Sequence, residues 1–364
     1  MTFGRLLPVL LACLAPFAGA GQAAQPSPST DTPVALAIDH MLTAQREDGL
    51  FAYDFDFVRN GATGENNIVR QAGATFALGE YYADSRDPDL REPLRRALTA
   101  LSLLSIEYGR GRLVSRNGKL NGVKGGATAL TLLAELYYYR TSGDGRFEQA
   151  RDGWLHGLLS LHQPGKGFRR GPLSEKESHY YNGEIWLALA FHARTFADPD
   201  VAAVLPQVDD YMMAAYGAAP HIGFFHWGAT AAAKRYATTR DPRFAEFATA
   251  QARHYIDEMR PQVKPYANTC YALEGLIPAL TLVPPDDELQ PRLRARIEAE
   301  MTKIRGFQIL PGQTGLDLGE GITLTSPALN RFAGAFVAGR KRPSTRIDFT
   351  QHCVSAFLRY NRLP

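Results

Sequence analysis

Sorted by the charge they carry, the apolar stretches of this chain fall into two classes that alternate from one end to the other. Residues 72–78, 127–133, 185–191, 228–233 and 272–282 are nearly free of charge and rich in Ala, Gly and Leu. A helix buried on all sides must be apolar on every face, so these segments read as inner helices. Between them lie 90–104, 147–161, 201–216, 244–259 and 289–304, which mix apolar residues with Arg, Glu and Asp and read as amphipathic outer helices. An amphipathic segment at 34–45 before the first inner helix, and 348–360 as the last, complete about six pairs.

Breaker residues punctuate the same register. Each inner helix runs into a short connector: Asp87-Pro88, Gly143-Asp144-Gly145, Asp198-Pro199, Asp241-Pro242 and Pro284-Pro285-Asp286. Their aspartates lie 57, 54, 43 and 45 residues apart, a period expected of a repeated helical hairpin. Six hairpins close a ring, so the expected fold is all-α, an (α/α)6 toroid over residues 33–364 with no internal linker. An open solenoid of TPR-like repeats is the alternative; unequal periods and long loops disfavour it.

The connections from outer to inner helices are long instead: 48–67, 109–124, 163–183 and 306–347 are rich in Gly and aromatic residues. Loops of that length are functional or disordered, and a run such as Phe51-Ala52-Tyr53-Asp54-Phe55-Asp56-Phe57 is too aromatic for disorder. They should form a rim at one end of the ring. Residues 112–120, turning at Asn117-Gly118, read as a small β-hairpin within it.

Composition adds the compartment. Arg5, an apolar run over 6–18 and small residues up to Ala24 form a secretory leader pattern over residues 1–24, followed by a polar linker at 25–32. The run is too short and too broken by Pro8 and Pro16 to span a bilayer, so a periplasmic or secreted protein without a transmembrane segment is expected. A lipoprotein attached through Cys13 is the competing reading. Without Arg5 the formal charge falls from +3 to +2, and its signs are mixed along the chain, which does not suggest a nucleic-acid partner. Cys270 and Cys353 would then remain; they sit near the starts of neighbouring inner helices, where a bridge is expected, two buried thiols being the alternative.

Candidate chemistry comes from the topology. All six inner helices run parallel, and their N-termini meet the long loops, so the polar residues at their starts should converge on one funnel. Those starts carry Arg70 and Gln71; Lys124-Gly125-Gly126; Tyr180, Tyr181, Asn182 and Glu184; His226 and Trp227; Asn268; and Arg346, Asp348, Gln351 and His352. Helix N-termini favour anions, through unpaired N–H groups and the macrodipole. Glu184 precedes seven apolar residues, where an ionised carboxylate is costly unless paired. Asp348 fits either a catalytic acid or a helix cap. Glu274, deeper in an apolar helix, reads as a structural partner of Arg70 or His352 more than as a catalyst. His226 and His352 are candidates for proton exchange near neutral pH, with hydrogen-bonded packing as the plainer reading.

Carboxylates, histidines, amides and aromatics in one concave site are what glycoside chemistry uses. Glu184, Asp348, His352 and His226 are therefore the candidate catalytic residues. Arg70, Gln71, Tyr180, Tyr181, Asn182, Trp227, Asn268, Glu274, Arg346 and Gln351 are the candidates for binding substrate. No HExxH, zinc-spaced cysteine pair, P-loop or dinucleotide fingerprint occurs, so no metal or other cofactor is expected. With Tyr181-Asn182-Gly183-Glu184 and Arg346-Ile347-Asp348 set on this architecture, the chain resembles the six-hairpin glycosidase-like superfamily of glycoside hydrolases, polysaccharide lyases and glucuronyl epimerases. The resemblance implies a carbohydrate substrate, and it covers roughly residues 33–364.

Three functions stay open on these grounds. The first is a glycan hydrolase in which Glu184 and Asp348 divide the acid and base roles. The second is a uronate lyase or epimerase, with Arg70, Arg346 or Asn268 neutralising the carboxylate. The third is a non-catalytic protein that binds a glycan or a peptidoglycan precursor.

Overall fold

A computed structural model describes Met1 and residues 32–364. Apart from Met1, the leader with Cys13 and the linker up to Asp31 lie outside the described residues. Among the described residues, twelve α-helices alternate in role. The outer set is α1 (Pro33–Ala44), α3 (Arg91–Leu103), α5 (Glu148–Leu159), α7 (Pro199–Ala218), α9 (Pro242–His254) and α11 (Leu289–Arg305). The inner set is α2 (Ile68–Ser85), α4 (Gly125–Ser142), α6 (His179–Thr195), α8 (Ile222–Thr239), α10 (Cys270–Leu280) and α12 (Ile347–Tyr360). Each inner helix packs on the next, and α12 returns to pack on α2, which closes the ring. The toroid is the architecture that the alternation of uncharged and amphipathic segments predicts.

Local chemistry sets the helix ends. Asp198 accepts from the Val201 N–H at 2.9 Å, ahead of a proline that needs no partner at the first helical position. Asp87, Asp144 and Asp241 cap the other connectors in the same way, and Asp287, not Asp286, caps the last. The rim carries four two-stranded antiparallel pairs among the described residues. In one, β1 (Asp54–Asp56) pairs with β4 (Ser344–Arg346), placing Asp54 opposite Arg346 and joining the first hairpin to the last.

The expected hairpin at 112–120 sits elsewhere. Strand β2 (Ser105–Tyr108) pairs with β3 (Gly111–Val114) around Gly109-Arg110, where Gly109 takes φ +61°. Asn117-Gly118 turns a wider loop closed by the Ser115–Val123 bridge. A favourable turn dipeptide marked a real reversal, yet packing against α5 chose the paired segment.

A repeated latch fixes the rim to the ring. In the first turn or two of an inner helix, a buried side chain accepts the backbone N–H of the incoming loop: Gln71 from Phe51, Thr128 from Val114, Asn182 from Phe168 and Thr350 from Phe336, at 2.9, 2.9, 2.9 and 3.2 Å. Asn182 also donates to Glu177 at 2.7 Å and to the Tyr216 hydroxyl at 3.0 Å. Replacing it leaves several buried groups unpaired. Asn182→Ala should therefore cost about 1–3 kcal/mol in urea unfolding; an unchanged midpoint would contradict the latch.

Candidate active site

The first turns of the inner helices, together with the rim, enclose a cavity of about 450 Å³. Arg70, Tyr180, Tyr181, Glu184, His226, Trp227, Asn268, Arg346, Asp348, Gln351 and His352 all line it, as does Leu130 of α4. Gln71 and Asn182 do not, because their amides face outward to the rim as latches. Glu274 does not either, and stands behind His352. Arg260, Tyr271, Phe349, Asn67, Val69 and Ile222 complete the wall. Of these, Arg260 escapes sequence reasoning, since it comes after an outer helix and gives no helix-start signal.

Glu184 is 3% exposed, and no protein donor reaches its Oε2. Burial without a compensating hydrogen bond disfavours the charged form and pushes the carboxyl up to about 8, against a smaller opposing pull from His352. It is a neutral acid at pH 7. Its place depends on Gly126, where a Cβ would lie 1.9 Å from Glu184 Oε2 and 2.6 Å from the Tyr181 ring. Gly126→Ala should displace the carboxyl and abolish most turnover on a responsive glycan while costing only about 1–3 kcal/mol of stability. Wild-type turnover in that variant would show that the Glu184 position is not critical.

His226 is also 3% exposed, with both ring nitrogens unpartnered, and desolvation pushes it down to about 3. It is therefore a neutral imidazole, set among Trp227, His352, Tyr271 and Tyr180 with ring centroids 4.7, 5.6, 5.9 and 6.4 Å away. Gln351 Oε1 is a further buried acceptor without a partner, packed where Gly73 leaves room for it. Such groups are ordinarily satisfied; Glu184, His226 and Gln351 face one cavity, where a polar ligand would complete them, while others, such as His192 and Gln251, stand elsewhere in the fold.

Apart from Arg260, the remaining charges are paired. His352 Nδ1 lies 2.6 Å from Glu274 Oε2; Arg359 lies 3.4 Å from Glu274 Oε1 and 3.0 Å from Glu80. Burial alone would lower the histidine and raise the glutamate, but their mutual attraction, helped by Asp348 on one side and Arg359 on the other, reverses both shifts. Glu274 pairs with His352, as one of the two expected partners. Burial would likewise raise Asp348, yet Arg346, bonded at 2.6 and 2.9 Å, and Arg70 at 3.0 Å hold it below the usual carboxylate range. No cap hydrogen bond forms at the start of α12, so the carboxylate organises guanidinium groups instead.

Donor atoms of His226, Glu274 and His352 lie within 4.8 Å of one another, a set able to hold a transition-metal ion. Glu274 already answers the charges of His352 and Arg359. Hydrogen bonding thus accounts for Glu274 and His352, while His226 makes none. Beside it, Cys270 and Cys353 are joined by a disulfide with Cα atoms 4.9 Å apart, as the sequence predicts.

No family model matches the sequence, and no curated protein is similar to it. Solved structures are similar. An α-1,6-mannanase from Salegentibacter sp. superposes with a TM-score of 0.67 at 9% identity, covering 90% of this chain and 98% of that one. A sugar epimerase from a ruminal bacterium gives 0.66 at 12%, covering 90% and 97%. An unsaturated glucuronyl hydrolase specific for heparin gives 0.61 at 12%, covering 90% and 95%. The fold is that of the six-hairpin (α/α)6 toroids. Identities this low establish shared architecture, and function has to be argued from the site. Among the described residues no helix is long and apolar enough to cross a membrane.

Proposed function

We propose that this protein is an exported carbohydrate-active enzyme that hydrolyses a glycan in the funnel, with Glu184 as the general acid. The observation that carries the reading is a buried carboxyl, unpartnered at one oxygen and pushed by desolvation toward its protonated form, in a cavity lined by Tyr180, Tyr181, Trp227 and Tyr271. Aromatic faces suit sugar rings, and a carboxyl that keeps its proton at pH 7 can pass it to a glycosidic oxygen as the C–O bond breaks. Asp348 is the ionised carboxylate partner. Arg346 donates to both of its oxygens and Arg70 adds an ion pair at 3.0 Å, which leaves lone pairs able to accept a proton from the attacking water. The disulfide supports export, because such bonds persist in oxidising compartments.

The mannanase likeness supports a glycan substrate without lending its catalytic residues. A variant of the Salegentibacter enzyme with two consecutive aspartates replaced is inactive, and it was seen with α-1,6-mannotriose. Consecutive aspartates occur here only at 209–210 and 286–287, and neither pair lines the cavity. Assay of the pure protein on a panel of polysaccharides and oligosaccharides, beside Glu184→Gln and Asp348→Asn, tests the assignment. Unchanged turnover in both variants would remove it.

A second reading, a uronate lyase or epimerase, is favoured by the arginines in the wall and by the neutral His226. There an arginine would hold the sugar carboxylate while His226 or a tyrosine exchanges the α-proton. Ultraviolet absorbance of an unsaturated uronate product marks the lyase, and new reducing ends without it mark the hydrolase.

A further inference from the structure

Cations outnumber anions in the cavity wall. Arg70, Arg260 and Arg346 line it, and Asp348 is the lining carboxylate that is ionised at neutral pH, because Glu184 keeps its proton. Asp348 is bound to Arg70 and Arg346. Arg260 is left over. Its Nε is buried without a partner, and its Nη1 donates to the adjoining Met259 carbonyl, at 3.0 Å.

The backbone around Arg260 is built to hold it there. Helix α9 ends in a π-helical turn, Tyr255–Met259, and the Arg260 N–H closes it on the Tyr255 carbonyl at 2.8 Å. The Arg260 carbonyl accepts from Arg296 at 2.7 Å, and Arg296 is itself fixed by the buried Glu300 at 3.1 Å. A π-turn inserts one residue into the helical register and re-aims the residues beyond it. Here it turns a guanidinium from an outer helix into the funnel, beside Tyr271, whose ring centroid lies 5.9 Å from that of His226.

We propose that Arg260 anchors an anion subsite in which its guanidinium, with Tyr271 and His226 alongside, reads the carboxylate of an acidic sugar, so that the glycan taken by the funnel is a uronate-containing one. This deepens the carbohydrate reading and rests on it. A planar guanidinium fork matches a planar carboxylate, and the two unpartnered His226 nitrogens offer one donor and one acceptor to neighbouring sugar hydroxyls. A sulfate ester carries the same charge in a tetrahedral form, and the probes separate the two.

Calorimetric titration in a Glu184→Gln background, where substrate is not consumed, tests the proposal. The probes are glucuronate, galacturonate and mannuronate tetrasaccharides, their carboxyl-reduced counterparts, and O-sulfated forms of the reduced compounds. At least one uronate tetrasaccharide should bind at least about tenfold tighter than its reduced counterpart. Arg260→Gln should bring that ratio to within about twofold without weakening the reduced sugar, and Arg260→Lys should keep part of it. Equal affinity for acidic and reduced forms, or a preference surviving in Arg260→Gln, overturns the subsite while leaving glycan binding intact. An Arg260-dependent preference for sulfated over uronate probes overturns the carboxylate assignment. Absence of binding to every tetrasaccharide overturns the carbohydrate reading as well.

Discussion

Glu184→Gln should lower turnover by about 10³-fold on any glycan the protein processes, while the folded state survives unharmed. Glutamine matches the size of the protonated carboxyl and carries no charge, so at neutral pH it removes a proton donor and little else. The wild-type rate should fall as pH rises through about 8, where Glu184 loses its proton. A stability signature accompanies the kinetic one. The folded protein holds the Glu184 proton above the ordinary 4.5, so the stabilisation this group provides is complete below that value and is lost as pH climbs toward about 8. Removing the carboxyl removes that decline. The gap in melting temperature between Glu184→Gln and wild type should therefore shift in favour of the variant from pH 5 to pH 9, and a constant gap would show that Glu184 ionises normally.

Opening the Cys270–Cys353 bond should be the most damaging change to stability. Its ends are 83 residues apart in sequence, and closing a loop of that size is worth about 4.5 kcal/mol by the chain-entropy estimate. For a domain of this size the loss corresponds to roughly a 6 °C fall in melting temperature. The effect should reach the site as well. Cys270 lies one turn before Glu274 on α10, and Cys353 adjoins His352 on α12, so the bond holds together the two helices that present the buried carboxylate–imidazole pair. Calorimetric scans of the protein with and without reductant, and of a Cys270→Ser/Cys353→Ser variant, measure the shift. A change below about 2 °C in both would show that packing of α10 against α12 suffices alone.

The ring was legible because burial on all sides leaves a compositional trace that no turn or loop imitates. The funnel came from topology: parallel inner helices must present their starts to one end, and Arg70, Glu184, His226, Asp348 and His352 do meet there. Helix-start position did not say which way each side chain faces. Asn182 and Glu184 are two residues apart, about 200° around a helix, so one turns to the rim and the other to the axis. Gln71 faces the rim by the same geometry, about 100° from Arg70. Arg260 was invisible for a different reason. Its approach depends on a π-turn and on the clasp of Arg296 around its carbonyl, and neither leaves a mark in hydrophobic periodicity. The ionisation of Glu184 was half legible. An acid ahead of seven apolar residues announces a desolvated carboxyl, but whether a base would reach it depended on Arg70 and Arg346, both of which turn to Asp348 instead.

Convergence of these side chains on one glycan is the claim that everything else rests on, and a crystal structure of Glu184→Gln bound to an oligosaccharide tests it most directly. The sugar should lie inside the toroid mouth, one ring against Trp227 or Tyr180, with a glycosidic oxygen within hydrogen-bond reach of residue 184. Saccharide bound instead on the outer helices or along the rim strands, with the mouth holding only solvent, would contradict the account.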